Sequence, residues 1–266
     1  MTIKELAVAT YTSTGTIIRL AKKLGYHGYE DFKADFLKEV YYLDTHFKNI
    51  DPNFPFVKTD NIQKIASKVT LLAQETLSDT LALLEHDNLQ KALRIMQKAN
   101  QIHLAAISYS LLLGQIFKLD MLRIGKNVNI CNTNGEELFL PAVIKNNDCI
   151  IIISYSGEIH NLCSLARTLK GRSVPIIAIT SLGDNELKKY ADVVLHISTR
   201  EKLYSKIAGY SNENSIKLIL DILYSCYFNL MYDDNLARRI AISKQAEVGR
   251  ESTLEIMKED NTQSGT

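Results

Sequence analysis

Tryptophan is absent from this 266-residue chain, and proline and cysteine occur only four times each. The cysteines (Cys131, Cys149, Cys163, Cys226) form no C-x-x-C pair, and Cys149 opens an apolar run. They read as reduced core thiols, which argues against a disulfide frame or a zinc knuckle. Histidines are scattered and none falls beside a carboxylate at ligand spacing, so no metal and no other cofactor is expected. No apolar run approaches the ~18 residues of a membrane span, and the N-terminus lacks a signal-peptide profile, so a cytoplasmic chain without a membrane partner is expected. The formal net charge is +1, which rules out a global basic field. Positive charge is nonetheless uneven: residues 1–29 hold Lys4, Arg19, Lys22 and Lys23 against Glu5 alone.

What the chain does have is a 46% hydrophobic content, enough for a sizeable core, and one stretch of clear grammar, DCIIIISYSGE at 148–158. Ile150 to Ile153 read as a strand buried on both faces, as in a parallel sheet. Ser154, Tyr155, Ser156 and Gly157 break it, and Ile159, Leu162, Leu165, Ala166 and Leu169 follow at helical spacing. Two hydroxyls and a glycine thus stand where backbone N–H groups are free and a helix dipole is positive, a natural seat for an oxyanion. The plainer alternative is an ordinary strand-to-helix turn with Ser156 as cap.

Residues 1–47 read as helical. Thr2 caps a first helix and Ser13 a second, with Ile17, Leu20, Ala21 and Leu24 inward, and a third runs from about Tyr29 to Leu43. Two short helices on a tight turn, the second basic, point to a helix-turn-helix in which Ser13, Thr14, Thr16 and Arg19 approach base edges or phosphate and Lys22 and Lys23 the backbone. A plain helical hairpin with a solvated face is the alternative. Residues 48–84 hold a linker with Pro52 and Pro55, then a connecting helix from about Asn61 whose stripe includes Ile62, Val69, Leu72 and Thr76. Residues 85–235 alternate strands and helices: strands at 101–107, 127–131, 150–153, 174–180 and 193–197, with helices at 136–144, 184–190 and 214–232 among those between and after them. This predicts an α/β fold, a five-stranded parallel doubly wound sheet preceded by a small all-α domain. Residues 236–266 complete the chain as a C-terminal helix and tail, disordered from about Lys258. Ligands on such a sheet bind at the carboxyl ends of the strands, which here carry Ser108 and Ser110, then Ser154, Ser156, Gly157 and Glu158, then Thr180 and Ser181.

Taken in order, IKELA at 3–7, RLAKKLGY at 19–26, GYEDFK at 28–33, LRIGKNV at 122–128, ISYSGE at 153–158 and IIAITS at 176–181 resemble the MurR/RpiR family of bacterial transcriptional regulators. The resemblance covers nearly the whole chain. It implies a DNA-binding arm, a sugar isomerase (SIS) domain, operator DNA and a phosphorylated sugar as partners, and a homodimer or homotetramer. It also implies that Ser110, Ser154 and Ser156 hold the sugar phosphate. Five departures matter: Ala106, Ile107 and Ser108 replace a glycine-bearing loop, Ile159 stands where threonine is frequent, Tyr11 stands where glycine is common, Ile18 stands where a small polar residue is usual, and the helix-turn-helix at 1–47 is expected to lack the family's usual first helices. A sugar-phosphate isomerase, with Glu158, Glu136 or Glu137 as base, is a second reading. A sugar-phosphate-binding module without DNA recognition is a third.

Overall fold

The computed structural model describes residues 1–46, 50–131 and 135–258; the tail expected beyond Lys258 and positions 48–49 of the linker lie outside the described residues. The chain opens with α1 (Ile3–Ala9), α2 (Thr14–Lys23) and α3 (Tyr29–His46). Thr2 and Glu5 close a reciprocal capping box on α1, and the Ser13 hydroxyl accepts from the Thr16 N–H to start α2. Tyr11 ends α1 in the left-handed region at φ 54°, the conformation that a glycine would take without strain. Ala7, Ile17 and Tyr29 form a small core, with Ile3, Leu6 and Phe32 against it. Leu20 and Leu24, expected inward, are about half exposed, because α1 and α3 pack against the Ile17–Ala21 side of α2.

After the linker come α4 (Ile62–Leu83) and α5 (His86–Lys98), then β1 (Ile102–Ala105), α6 (Tyr109–Arg123), β2 (Val128–Ile130), a short 3-10 turn and α7 (Leu140–Val143). The chain continues through β3 (Cys149–Ser154), α8 (His160–Gly171), β4 (Ile176–Thr180), a 3-10 turn at Leu187–Lys189 and β5 (Val193–His196). It closes with α9 (Tyr210–Asn229), α10 (Tyr232–Ala246) and a 3-10 turn at Glu255–Met257. The single helix expected over 136–144 is therefore split, and the one expected over 214–232 begins four residues early and breaks at Leu230–Met231.

All five strands are parallel in the order β2-β1-β3-β4-β5. Alternate residues of each strand feed two cores. Ile102, Leu104, Ile151, Ile153, Ile177 and Ile179 face α5, α6 and α9. Ala105, Ile150, Ile152, Ile176 and Ala178 face α7 and α8. This two-sided burial is why β3 and β4 read as unbroken apolar runs. Gly114 lets α6 lie against β1, since a Cβ there would come within 2.7 Å of Leu104 Cδ2.

A fourth layer is added by α4 on α9. Its buried stripe is Leu72, Thr76, Asp79 and Thr80, while Ile62, expected on the packed side, is exposed. The seam is polar: Thr76 Oγ1 and Ser211 Oγ are 2.9 Å apart, and Thr80 Oγ1 donates to Ser215 Oγ at 2.7 Å. Ser215 Oγ in turn accepts the Ser198 N–H at 2.9 Å.

Candidate functional site

The strand order reverses between β1 and β3: β2 lies outside β1, whereas β4 and β5 follow β3 on the other side. The connections leaving β1 and β3 therefore diverge, and their carboxyl ends are the place where sheets of this kind bind ligands. Ser108 and Ser110 stand on the β1 side, at the start of the 15-residue α6. Ser154, Ser156, Gly157 and Glu158 stand on the β3 side, ahead of the 12-residue α8.

The β3 loop is held by its own hydroxyls. Ser154 Oγ accepts the Gly157 N–H at 3.1 Å, and Ser156 Oγ accepts the Glu158 N–H at 3.2 Å. Each oxygen is used as an acceptor, which leaves its hydrogen to donate. Ser156 does not cap α8, which starts at His160 behind Ile159, because Gly157 turns left-handed at φ 68° and the loop runs on before the helix begins. Glu158 accordingly sits before the helix, and its carboxylate accepts the Glu186 N–H at 2.9 Å.

The β4 side is plugged by one residue that the sequence did not mark. Asn185, buried, donates to Thr180 Oγ1 at 3.2 Å and to the Gly183 carbonyl at 3.2 Å, with Ser181 Oγ at 3.5 Å. A Cβ on Gly157 would lie 2.1 Å from Asn185 Cγ, so the glycine and the asparagine interlock. Thr180 has no exposed surface, so its hydroxyl serves the loop after β4. Two further residues escaped the sequence reading. Tyr155 turns away from the loop to bond the backbone of Glu201 through its hydroxyl, and burial pushes its phenol up to about 12. The Glu201 carboxylate accepts from the N–H groups of Ser211 and Asn212, at the start of α9, and pairs with Lys206 at 2.8 Å. Tyr155 stands inside the serine motif but nothing local announces its distant partner, and no local motif advertises Asn185 or Glu201.

On α2, Ser13, Thr14, Thr16, Arg19, Lys22 and Lys23 are all exposed. Ser13 is committed to its cap and lies 3.0 Å from Thr16 Oγ1, which also accepts from Arg19 Nη2 at 3.4 Å. Ile17 and Ala21 anchor the opposite side, so the hydroxyls and cations of α2 face solvent, interleaved with the exposed Ile18 and Leu20. Among the described residues no helix is long and apolar enough to cross a membrane.

Comparison with known proteins agrees in both halves. Residues 1–41 match the helix-turn-helix domain of the rpiR family, and residues 95–224 match the SIS domain. An uncharacterized HTH-type transcriptional regulator of Clostridium perfringens is 23% identical over 239 residues, 90% of this chain and 84% of that one. Among solved structures, the NanR protein of Vibrio vulnificus complexed with ManNAc-6P superposes with a TM-score of 0.63 at 19% identity, over 92% of this chain and 87% of NanR. The phosphoheptose isomerase GmhA of Neisseria gonorrhoeae superposes with a TM-score of 0.54 at 14% identity, over 64% of this chain and all of GmhA. At such identities the superpositions speak for the fold. The chain belongs to the RpiR family of helix-turn-helix transcriptional regulators, its DNA-binding helices followed by a SIS domain.

Proposed function

We propose that this regulator governs genes of carbohydrate metabolism by sensing a phosphorylated sugar at the carboxyl ends of β1 and β3. The observation that carries the reading is the reversal of strand order there, which supports a ligand site between two serine-bearing loops, each leading into a helix. Ser110, Ser154 and Ser156 supply hydroxyl hydrogens, with Ser108, Gly157 and Glu158 shaping the rim and Thr180 and Ser181 backing it. Helix-start amides and dipoles stabilise a phosphate without a lysine. NanR, complexed with ManNAc-6P, makes that compound the first sugar phosphate to try.

A binding role is favoured over isomerase chemistry by the carboxylates. Glu158 is engaged by the Glu186 N–H and Glu201 by the start of α9. Glu136 is exposed on a separate 3-10 turn, and the side chain of Glu137 lies outside the described residues. The exposed apolar stripe of α6, Tyr109, Leu112, Ile116 and Leu119, supports a homodimer or a higher homo-oligomer, and operator DNA is the partner of α2. A cytoplasmic location follows from that partner.

The test is a thermal-shift screen of hexose and hexosamine phosphates, beginning with ManNAc-6P. A ligand at 100 times its Kd stabilises by about 2.7 kcal/mol, and each kcal/mol raises Tm by about 2–4 °C for a chain of roughly this size. The rise is expected to vanish in a Ser154→Ala/Ser156→Ala variant. A panel with no shift in the wild-type chain would count against the reading.

A further inference from the structure

Residues 197–209, between β5 and α9, form neither helix nor strand, yet they are bonded on two sides. On the inner side, the Tyr155 hydroxyl donates to the Glu201 carbonyl at 2.7 Å and accepts the Glu201 N–H at 3.0 Å. Tyr155 lies in the chain between Ser154 and Ser156, so any backbone shift of the serine loop moves it as well. On the outer side, the Lys202 N–H donates to Asn53 Oδ1 at 2.7 Å and the Ile207 N–H to the Asn53 carbonyl at 2.9 Å. Arg200 Nη2 donates to Glu75 Oε2 of α4 at 3.0 Å and to the Ile50 carbonyl at 3.3 Å. Asn53 is buried and fixed by Asp51, whose Oδ1 accepts its N–H at 2.8 Å and its Nδ2 at 3.1 Å. Three consecutive residues, Arg200, Glu201 and Lys202, thus touch α4 and the linker, the serine loop, and the linker again.

The segment is also stiff at its centre. The buried Glu201 carboxylate is tied to the start of α9 and to Lys206, and the Lys206 ammonium lies 5.5 Å from the centre of the Tyr155 ring. Charge-assisted bonds of this kind resist stretching more than neutral ones do. A displacement at Tyr155 is therefore passed along the segment instead of being absorbed within it.

We propose that residues 200–207 are a coupling strap through which occupation of the Ser154–Tyr155–Ser156 loop changes how the linker at residues 50–53 holds the DNA-binding helices. The proposal rests on the effector reading given above. A phosphate drawing hydrogen bonds from Ser154 and Ser156 biases the loop toward one arrangement, and Tyr155 hands that bias to Glu201. Because coupling between two sites is reciprocal, loosening the linker end must also be felt in the serine loop.

Hydrogen–deuterium exchange of the full chain, followed by mass spectrometry, tests this with and without ligand. Without ligand, Tyr155→Phe keeps the ring but removes the acceptor of a buried N–H. Exchange in peptide 50–56 is expected to quicken about three- to tenfold, the factor for one or two lost hydrogen bonds. Asn53→Ala, made at the other end, is expected to quicken exchange across 153–159, where the Gly157 and Glu158 amides report, by a similar factor. Changes that stop within 200–207 in both variants overturn the strap; if one variant fails to fold, the other decides. With ManNAc-6P as the probe, exchange in 50–56 is expected to slow in the wild-type chain and not in Asn53→Ala, which still binds the probe. Binding to the wild-type chain without any change at 50–56 overturns the strap and leaves the effector reading intact. Reciprocal effects of the two variants in a chain that ignores every sugar phosphate support the strap and count against the effector reading instead.

Discussion

Ser108 occupies a backbone position made for glycine. Its φ of 56° and ψ of −129° put it at the head of α6 in a region where a side chain is strained, and its hydroxyl makes no capping bond there. Such a conformation costs on the order of 1–3 kcal/mol. Glycine would relieve that strain, less about 0.5–1 kcal/mol for the greater freedom of the unfolded chain. A Ser108→Gly variant is expected to melt higher than the wild-type chain by a few degrees, at about 2–4 °C per kcal/mol. A lower Tm would mean that the hydroxyl contributes something the bond network does not reveal. At this scale the sequence was legible where a residue conflicts with its own backbone. Tyr11 and Ser108 both stand where the family favours glycine, and both are left-handed or nearly so. Asn185 was not legible. Its contact with Gly157 spans 28 positions and exists only because the loop after β4 folds back under the serine loop.

Elements were legible in proportion to how local their causes are. The strands β3 and β4 could be read from apolar runs, and the starts of α1 and α2 from Thr2 and Ser13, because burial on two faces and side-chain capping leave marks on adjacent residues. The start of α9 could not be read. Its N-cap, Gly209, offers no side chain, and the capping oxygen comes from Glu201, outside the helix. The side of α4 that packs was legible at Leu72 and Thr76 but not at its ends: apolar spacing extended the stripe back to Ile62, whereas the seam with α9 runs on through Asp79 and Thr80 and is made largely of hydroxyls. That seam carries a prediction. Ser215→Ala leaves the buried Ser198 N–H without its acceptor, a loss of about 1–3 kcal/mol. Thr80→Val removes a donor but leaves that acceptor in place, and it keeps the side chain's volume. Thermal melts are therefore expected to rank wild type, Thr80→Val and Ser215→Ala in falling order. A Thr80→Val variant that melts below Ser215→Ala would show that the α4 hydroxyl, and not the cap on Ser198, holds the layer.

For the molecule as a whole, a formal net charge of +1 means that attraction to DNA cannot come from the total field. On the proposed reading it comes from the surface of α2, where Lys22 and Lys23 lie in the last turn and Arg19 one turn earlier. Each phosphate neutralised lowers the slope of log K against log salt by about 0.9. Lys22 and Lys23 of one copy thus give a slope of about −1.8, and those of two copies about −3.6. If the exposed stripe of α6 pairs two chains, one Lys22→Ala substitution removes two phosphate contacts per complex and flattens the slope by about 1.8; a lone chain on DNA loses only about 0.9. Fluorescence anisotropy on a selected operator, from 50 to 200 mM salt, separates the two cases. Arg19→Ala in the same assay is expected to weaken binding, and to weaken it more on the operator than on unrelated duplex if Arg19 reaches a base edge. An operator affinity that ignores Arg19, with a slope that ignores Lys22, would remove α2 as the DNA-reading element while leaving the ligand reading at β1 and β3 untouched.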